Sequence, residues 1–192
     1  MGVTGASGAI YALRTLQMLV SADIEVALCY TAAARRVLFE ECGLVLENDP
    51  AVLLAPGQTT DHISFWSDED IGAPPASGTA LGEAVLLLPC SLSTLASISA
   101  GKANRLVARA AQVALKEGRK LVVVPRETPL SKTHLDQMSR LAWAGATILP
   151  ASPGFYHQPQ SIDELVDHLC AKILGVLEVP QQAIPAWAGT KA

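Results

Sequence analysis

The sequence predicts a single three-layer, doubly wound α/β domain on a parallel sheet, Rossmann-like or flavodoxin-like in type, and three observations predict it. Short runs of Val, Ile and Leu without polar alternation recur along the chain, as strands buried on both faces require. Amphipathic segments with a helical period lie between those runs, and this alternation builds a parallel sheet covered on both sides. The chain has 192 residues, the size of one domain that buries roughly 70% of the surface its unfolded form exposes.

Taken in order, the first strand leads into a Gly-rich turn, Gly2-Val-Thr-Gly5-Ala-Ser-Gly8. Residues 1–4 are few against the usual five or six of a strand; either the chain is shortened at this end or its start lies upstream of Met1. A helix is expected over 9–20, a strand over 24–30 and a second helix over 32–42. Residues 44–82 read as irregular. The apolar run 83–88 is a buried strand, followed by a Pro89-Cys-Ser91 turn and a helix of small residues. Then come a helix over 104–117, a strand over 120–125, a helix over 132–144 and a strand over 146–149. The last helix, 162–176, opens with Ser161-Ile-Asp-Glu164, a capping box that satisfies orphan N–H groups. The body of the domain is 1–178. Residues 179–192 form a tail with Pro180, Pro185 and Trp187, expected to pack on a neighbouring subunit.

Composition narrows the function. Half the residues are hydrophobic and the net charge is −4, which excludes disorder. A pI of about 5.5 argues against a nucleic-acid partner, whose mark is a basic face. Only 17% of residues are charged against an average of about 25% in soluble domains. Such a chain either enters a membrane or covers its surface with copies of itself. The longest uncharged stretch, 84–101, carries Pro89, Ser91, Ser93, Thr94, Ser97 and Ser99, too polar for a spanning helix. There is no basic-then-apolar leader, and Ala6 stands where myristoylation needs Ser or Thr. Self-association is the expectation. Cys29, Cys42, Cys90 and Cys170 form no C-x-x-C pair, and His62, His134, His157 and His168 lack ligand spacing. No metal site is expected, and the cysteine usage fits a reducing cytoplasm.

Five places could carry chemistry. Small residues in the Gly-rich turn let backbone amides and a helix N-terminus approach a phosphate. The spacing is G-x-x-G-x-x-G, and the strand 24–30 is followed by Thr31 without an acid for a ribose. That disfavours a dinucleotide and favours a single phosphate, as in a mononucleotide; a plain tight turn is the alternative. Cys90-Ser91-Leu92-Ser93-Thr94 sits at the C-terminal end of a strand, along the crevice where open α/β sheets bind ligands. Capping by Ser91 explains one of its hydroxyls. Glu40 follows Arg36 by four residues, as on a solvated face, but Glu41 shares the apolar stripe of Val37 and Leu38 and needs a partner or a function. Arg105, Arg109, Gln112 and Lys116 form a polar stripe, either solvated or functional. Arg126-Glu127 ends a strand; Arg offers a fork that matches phosphate oxygens and Glu a proton carrier. The alternative there is a helix-initiating turn with an incidental ion pair.

Taken together, these residues resemble the flavin prenyltransferases (UbiX-like). The resemblance is carried by Thr4-Gly-Ala-Ser-Gly8, Ala73-Pro-Pro-Ala-Ser-Gly78, Pro89-Cys-Ser91, Pro125-Arg-Glu-Thr-Pro129, His134-Leu, Gly145-Ala-Thr-Ile-Leu-Pro150 and, most specifically, Pro153-Gly-Phe-Tyr-His-Gln-Pro-Gln160. It spans nearly the whole chain. It implies transfer of a dimethylallyl group from dimethylallyl phosphate to N5 and C6 of reduced FMN, without a metal. The product, prenylated FMN, would serve a partner decarboxylase of the ubiquinone-pathway type. The family implies a cytoplasmic homo-oligomer, a dodecamer, with sites between subunits. Carried over by motif, FMN would be held by Gly5, Ala6, Ser7, Thr31, Ser91, Leu92, Ser93, Thr94, Arg109 and Arg126. The donor phosphate would meet Lys116, Arg126, Glu127, Tyr156 and Lys172. Ser7 and Glu41 would take part in proton removal from C6, with Glu127, Lys116 and Tyr156 also at the reacting groups.

The residue types suit that chemistry. Breaking an allylic C–O bond separates a phosphate anion from an allyl cation, so cationic side chains at the phosphate stabilise the change. Aromatic faces steady the cation. Two departures stand out: Lys172 replaces an Arg of some relatives and loses its fork, and Ile71 stands where some relatives place Trp. FMN-dependent decarboxylases of peptidyl or pantothenoyl cysteine share the Gly-rich turn, but they rely on an early His and a P-x-M-N motif. Here no His precedes His62, and Pro125-Arg-Glu-Thr fills the second place. A non-enzymatic prenyl-FMN binding or delivery protein would carry a similar phosphate site.

Overall fold

The computed structural model describes residues 1–181. The strands β1 (Gly2–Val3), β2 (Val26–Tyr30), β3 (Ile63–Ser67), β4 (Ala84–Cys90), β5 (Lys120–Pro125) and β6 (Thr147–Ile148) form one sheet in the order β3-β2-β1-β4-β5-β6. Every pairing is parallel. The helices are α1 (Ala9–Ser21), α2 (Ala32–Cys42), α3 (Leu92–Ser99), α4 (Leu106–Lys116), α5 (Lys132–Trp143) and α6 (Ile162–Val176).

The uninterrupted apolar strands have the cause expected of them. In β4, Val85 and Leu87 point into a core shared with α3, α4 and α5, while Leu86 and Leu88 point into a second core shared with α1, α2 and α6. In β5, Leu121 and Val123 serve the first core, and Val122 and Val124 the second. Successive side chains alternate faces, so two buried faces demand apolar residues throughout. Parallel neighbours α1 and α6 are tied by a forked ion pair, Arg14 Nε to Asp167 Oδ1 at 2.6 Å and Nη2 to Oδ2 at 3.1 Å.

The strand order reverses between β1 and β4, and such a switch point opens a crevice at the carboxyl ends of the strands. The two strands are stitched there by one residue. Thr4, 1% exposed, donates its hydroxyl to the Pro89 carbonyl at 2.8 Å and accepts the Ser91 amide at 2.6 Å.

The structure departs from the sequence reading in two places. The segment 44–82 holds an edge strand, β3, that pairs in register with all of β2. It is half-exposed along its length, so Ile63-Ser-Phe-Trp-Ser67 lacks the apolar run by which the other strands are found. At α6, Ser161 caps the Glu164 amide, but the Glu164 carboxylate turns to the Gln160 amide and the reciprocal bond of a capping box does not form. That box forms at α5 instead, between Ser131 and His134. The expected tail packing of 179–192 falls, beyond Gln181, outside the described residues. Among the described residues no helix is long and apolar enough to cross a membrane.

Candidate active site

Two helices start at the β1/β4 crevice, and their N-termini are treated differently. The turn before α1 is built for close approach. A Cβ on Gly5 would stand 2.5 Å from Ala33 Cβ, and Gly8 has φ +110°, so neither position accepts a larger residue without strain. Gly8 is the N-cap of α1 but has no side chain to cap with. Glu41, at the end of α2, supplies the missing acceptor: its Oε2 takes the Gly8 amide at 2.9 Å and the Ala9 amide at 2.8 Å. The apolar-stripe carboxylate thus has its partner. Burial pushes the Glu41 carboxyl up, but bonds from the Ser7 side chain and the Gly8 and Ala9 amides, with Arg126 nearby, outweigh it and hold the group below its ordinary value. An anion at a helix N-terminus is favoured by the helix dipole. The Gly8 and Ala9 amides at the start of α1 are thus taken by a side-chain carboxylate.

The start of α3 is arranged otherwise. Ser91 is its N-cap, accepting the Thr94 amide at 3.3 Å, and its hydroxyl also meets Ser93 Oγ at 3.1 Å and Thr94 Oγ1 at 3.0 Å. One cap thus leads a cluster of three hydroxyls. The first amides of any helix lack an intrahelical acceptor, which leaves the Leu92 and Ser93 N–H groups at the crevice. Amides, hydroxyls and the positive end of a helix dipole make up the donor set of a phosphate site. FMN, with one phosphate, fits this donor set. Thr31, at the end of β2, caps α2 through the Ala34 amide at 3.1 Å.

Arg126 follows β5 at the same sheet edge and donates Nε to the Ser7 carbonyl at 3.1 Å, bridging to the Gly-rich turn. Glu127 is exposed and accepts the Thr128 amide at 3.0 Å. The two charges are not paired with each other, so the incidental ion pair is absent, and no helix begins until Lys132. Gly5, Ala6, Ser7, Thr31, Glu41, Ser91 to Thr94, Arg126 and Glu127 thus gather at one edge.

The other expected residues lie elsewhere in the chain. Arg109 donates to the Ala76 carbonyl from the outer side of α4. Lys116 ends α4, pairs with Glu117 at 2.6 Å, and precedes Lys120, which opens β5 opposite Ala84. That is the far edge of the sheet: β5 has six residues, so its ends are about 17 Å apart. One chain cannot bring Lys116 to Glu127. Tyr156 and Lys172 form a group against α6. The Tyr156 hydroxyl lies 3.1 Å from His168 Nε2, and His168 stacks flat on His157 at 4.7 Å between ring centroids. Burial lowers the His168 pKa, and nearby His157 and Lys172 lower it further.

Sequence reasoning missed three residues. Thr4 directly follows the first strand and is polar yet buried, a signal present in the motif but unused. Asp68 caps α4 by accepting the Val107 amide at 3.0 Å. It follows β3, so missing that strand hid it. His168 carries no sequence signal beyond its four-residue spacing from Lys172.

The Flavoprotein family model matches residues 1–174. The chain is 45% identical to the flavin prenyltransferase UbiX of Pseudomonas aeruginosa, over 97% of this chain and 92% of that protein. The crystal structure of AnUbiX (PadA1) in complex with FMN and dimethylallyl pyrophosphate is similar with a TM-score of 0.90 at 33% identity, covering 99% of this chain and 96% of that one. A dodecameric FMN-dependent UbiX-like decarboxylase from Escherichia coli O157:H7 gives 0.87 at 36% identity, covering 98% and 97%. The family match over residues 1–174 and this extent of sequence identity place the chain in the Flavoprotein family, among the flavin prenyltransferases of the UbiX type.

Proposed function

We propose that this protein is a flavin prenyltransferase that joins a dimethylallyl group from dimethylallyl phosphate to N5 and C6 of reduced FMN. The observation that carries the reading is the β1/β4 crevice, where the Gly-rich turn, the hydroxyl-rich start of α3 and Arg126 converge. It stands in a chain 45% identical to a flavin prenyltransferase over nearly its whole length. The FMN phosphate takes the start of α3, with the Leu92 and Ser93 amides and the Ser91, Ser93 and Thr94 hydroxyls. Gly5, Ala6 and Ser7 face the flavin across the crevice, with Thr31 beside them and Arg109 supplied by another copy.

The reaction asks these residues for two things. As the allylic C–O bond breaks and the N5–C bond forms, phosphate leaves as an anion, and Arg126, Lys116, Lys172 and the Tyr156 hydroxyl stabilise it by charge-assisted bonds. Closure of the new ring then consumes the prenyl double bond: its C2 takes up the proton that N5 gives up, its C3 bonds to C6 of the flavin, and the C6 proton is released. Ser7, hydrogen-bonded to the Glu41 carboxylate, passes that proton on, and Glu127 serves the leaving phosphate. Glu41, held anionic by α1, orients Ser7.

Because Lys116 and Glu127 occupy opposite sheet edges, the complete site takes residues from more than one subunit. Three features support a homo-oligomer, built as a dodecamer like the Escherichia coli relative. The chain is poor in charge, Trp143 is 91% exposed, and Phe39, Ile71 and Phe155 are also exposed. The protein is cytoplasmic, and its prenylated FMN passes to a partner decarboxylase.

The test is anaerobic incubation with reduced FMN and either dimethylallyl phosphate or the diphosphate. Prenylated flavin from either donor supports the reading and identifies the donor. Flavin that stays unmodified with both refutes it.

A further inference from the structure

His168 stands where no motif of the sequence calls for a functional residue, yet its two ring nitrogens are both engaged. The Gly154 amide donates to Nδ1 at 3.3 Å. That nitrogen therefore carries a lone pair, and in neutral imidazole the proton must sit on Nε2. Nε2 lies 3.1 Å from the Tyr156 oxygen, so the imidazole donates and the phenol oxygen accepts. A phenolic hydrogen stays close to the ring plane. An oxygen that accepts on one in-plane side therefore presents its own proton on the other.

We infer that His168 is a positioning residue that fixes Tyr156 as a hydrogen-bond donor to the phosphate of the prenyl donor. The inference rests on the prenyltransfer reading above and adds to it the direction of one proton. Three features support it. The Gly154 contact ties His168 to the loop that carries Tyr156, so one ring sets both loop position and hydroxyl orientation. His157 stacks parallel to it, with an interplanar angle of 3°, which holds the ring against rotation. Lys172, one helical turn further along α6, lies on the same side and disfavours a second positive charge on His168. A protonated His168 would lose the Nδ1 acceptor, so the neutral form is the one this arrangement uses. The charged and titratable groups that face it are His157 and Tyr156 from the loop and Lys172 from α6.

The substitutions separate the two nitrogens. His168→Phe keeps an aromatic ring but removes both bonds. His168→Gln places an amide N–H near the Nε2 position and keeps the bond to Tyr156. The experiment measures steady-state kinetics with reduced FMN and dimethylallyl phosphate, and dimethylallyl phosphate binding by calorimetry to protein loaded with oxidised FMN. The expected result for His168→Phe is a KM and Kd for dimethylallyl phosphate raised about fivefold to tenfold, as for loss of one oriented hydrogen bond. Turnover number falls as well, because the bond to the departing phosphate strengthens as the C–O bond breaks, while FMN affinity stays within about twofold of the parent. His168→Gln recovers most of the donor affinity. In a Tyr156→Phe background, His168→Phe adds no further penalty, because the two act through one bond. A parent-like KM and Kd in His168→Phe, or a penalty that persists without the Tyr156 hydroxyl, overturns the inference alone. Absence of product from the parent protein overturns the prenyltransfer reading and this inference with it.

Discussion

Removing the Glu41 side chain tests the most specific piece of architecture at the site. Glu41→Ala strips the acceptor from the Gly8 amide at 2.9 Å and the Ala9 amide at 2.8 Å, at a helix whose own N-cap has no side chain. Loss of an N-cap acceptor costs about 1 kcal/mol, within a range of roughly 0.5–2. Loss of an anion at the helix dipole costs about 0.3–1 kcal/mol more, toward the low end because Glu41 is exposed to solvent. The sum, about 1–2 kcal/mol, lowers Tm by roughly 2–4 °C per kcal/mol for a chain of this size. Glu41→Gln keeps an oxygen acceptor and forfeits only the charge, so it sits between Ala and the parent. The pH dependence follows from the sign of the shift. The folded-state pKa lies below the ordinary 4.5, so the folded protein binds the proton less readily than the unfolded chain. The stabilisation by charge is therefore present above about pH 4.5 and lost as pH falls through the lower folded value. The assay is thermal unfolding of parent, Gln and Ala proteins at one protein concentration, near pH 7 and again in acid. Equal Tm for all three near pH 7, or a parent–Gln gap that widens in acid, would refute the capping role.

Two further predictions concern the crevice and its assembly. Thr4→Val leaves the Ser91 amide without its acceptor in a buried position and should cost about 1–3 kcal/mol, with weaker FMN binding because α3 loses its tie to β1; unfolding and FMN titration check both, and a parent-like Tm with parent-like FMN affinity counts against the stitch. Lys116→Ala and Glu127→Gln should each abolish most turnover alone, yet oligomers assembled from a mixture of the two should recover activity at roughly a quarter of sites by random pairing of subunits. Mixed oligomers as inactive as their parents would show that Lys116 and Glu127 do not meet across subunits.

Much of this architecture is written locally. The helices over 32–42 and 162–176 have the same bounds in sequence and structure, because Thr31 and Ser161 cap them and Gly43 ends the former. The strands β4 and β5 announce themselves because both of their faces are buried. β3 does not, since an edge strand with a half-exposed pattern has no run of apolar residues to show. At the site, Glu41 was legible as an anomaly: a carboxylate on an apolar stripe needs a partner. Its partner, however, is the start of another helix, and only the fold brings α1 and α2 together. Lys116 was legible as a family residue but not as a distant one, because its separation from Glu127 depends on which sheet edge ends α4. The Gly154–His168–Tyr156 chain depends on how the 150–161 segment folds back on α6, which no periodicity encodes.

Attachment of a prenyl group to flavin at this crevice leaves a product whose mass can be measured. The most direct measurement is the mass of flavin extracted from the protein after anaerobic incubation with reduced FMN and dimethylallyl phosphate or its diphosphate. The expected result is a flavin heavier by one prenyl unit, formed by the parent protein and not by protein lacking both Lys116 and Glu127 side chains. Unmodified FMN recovered from a protein that binds flavin and both donors would contradict the account.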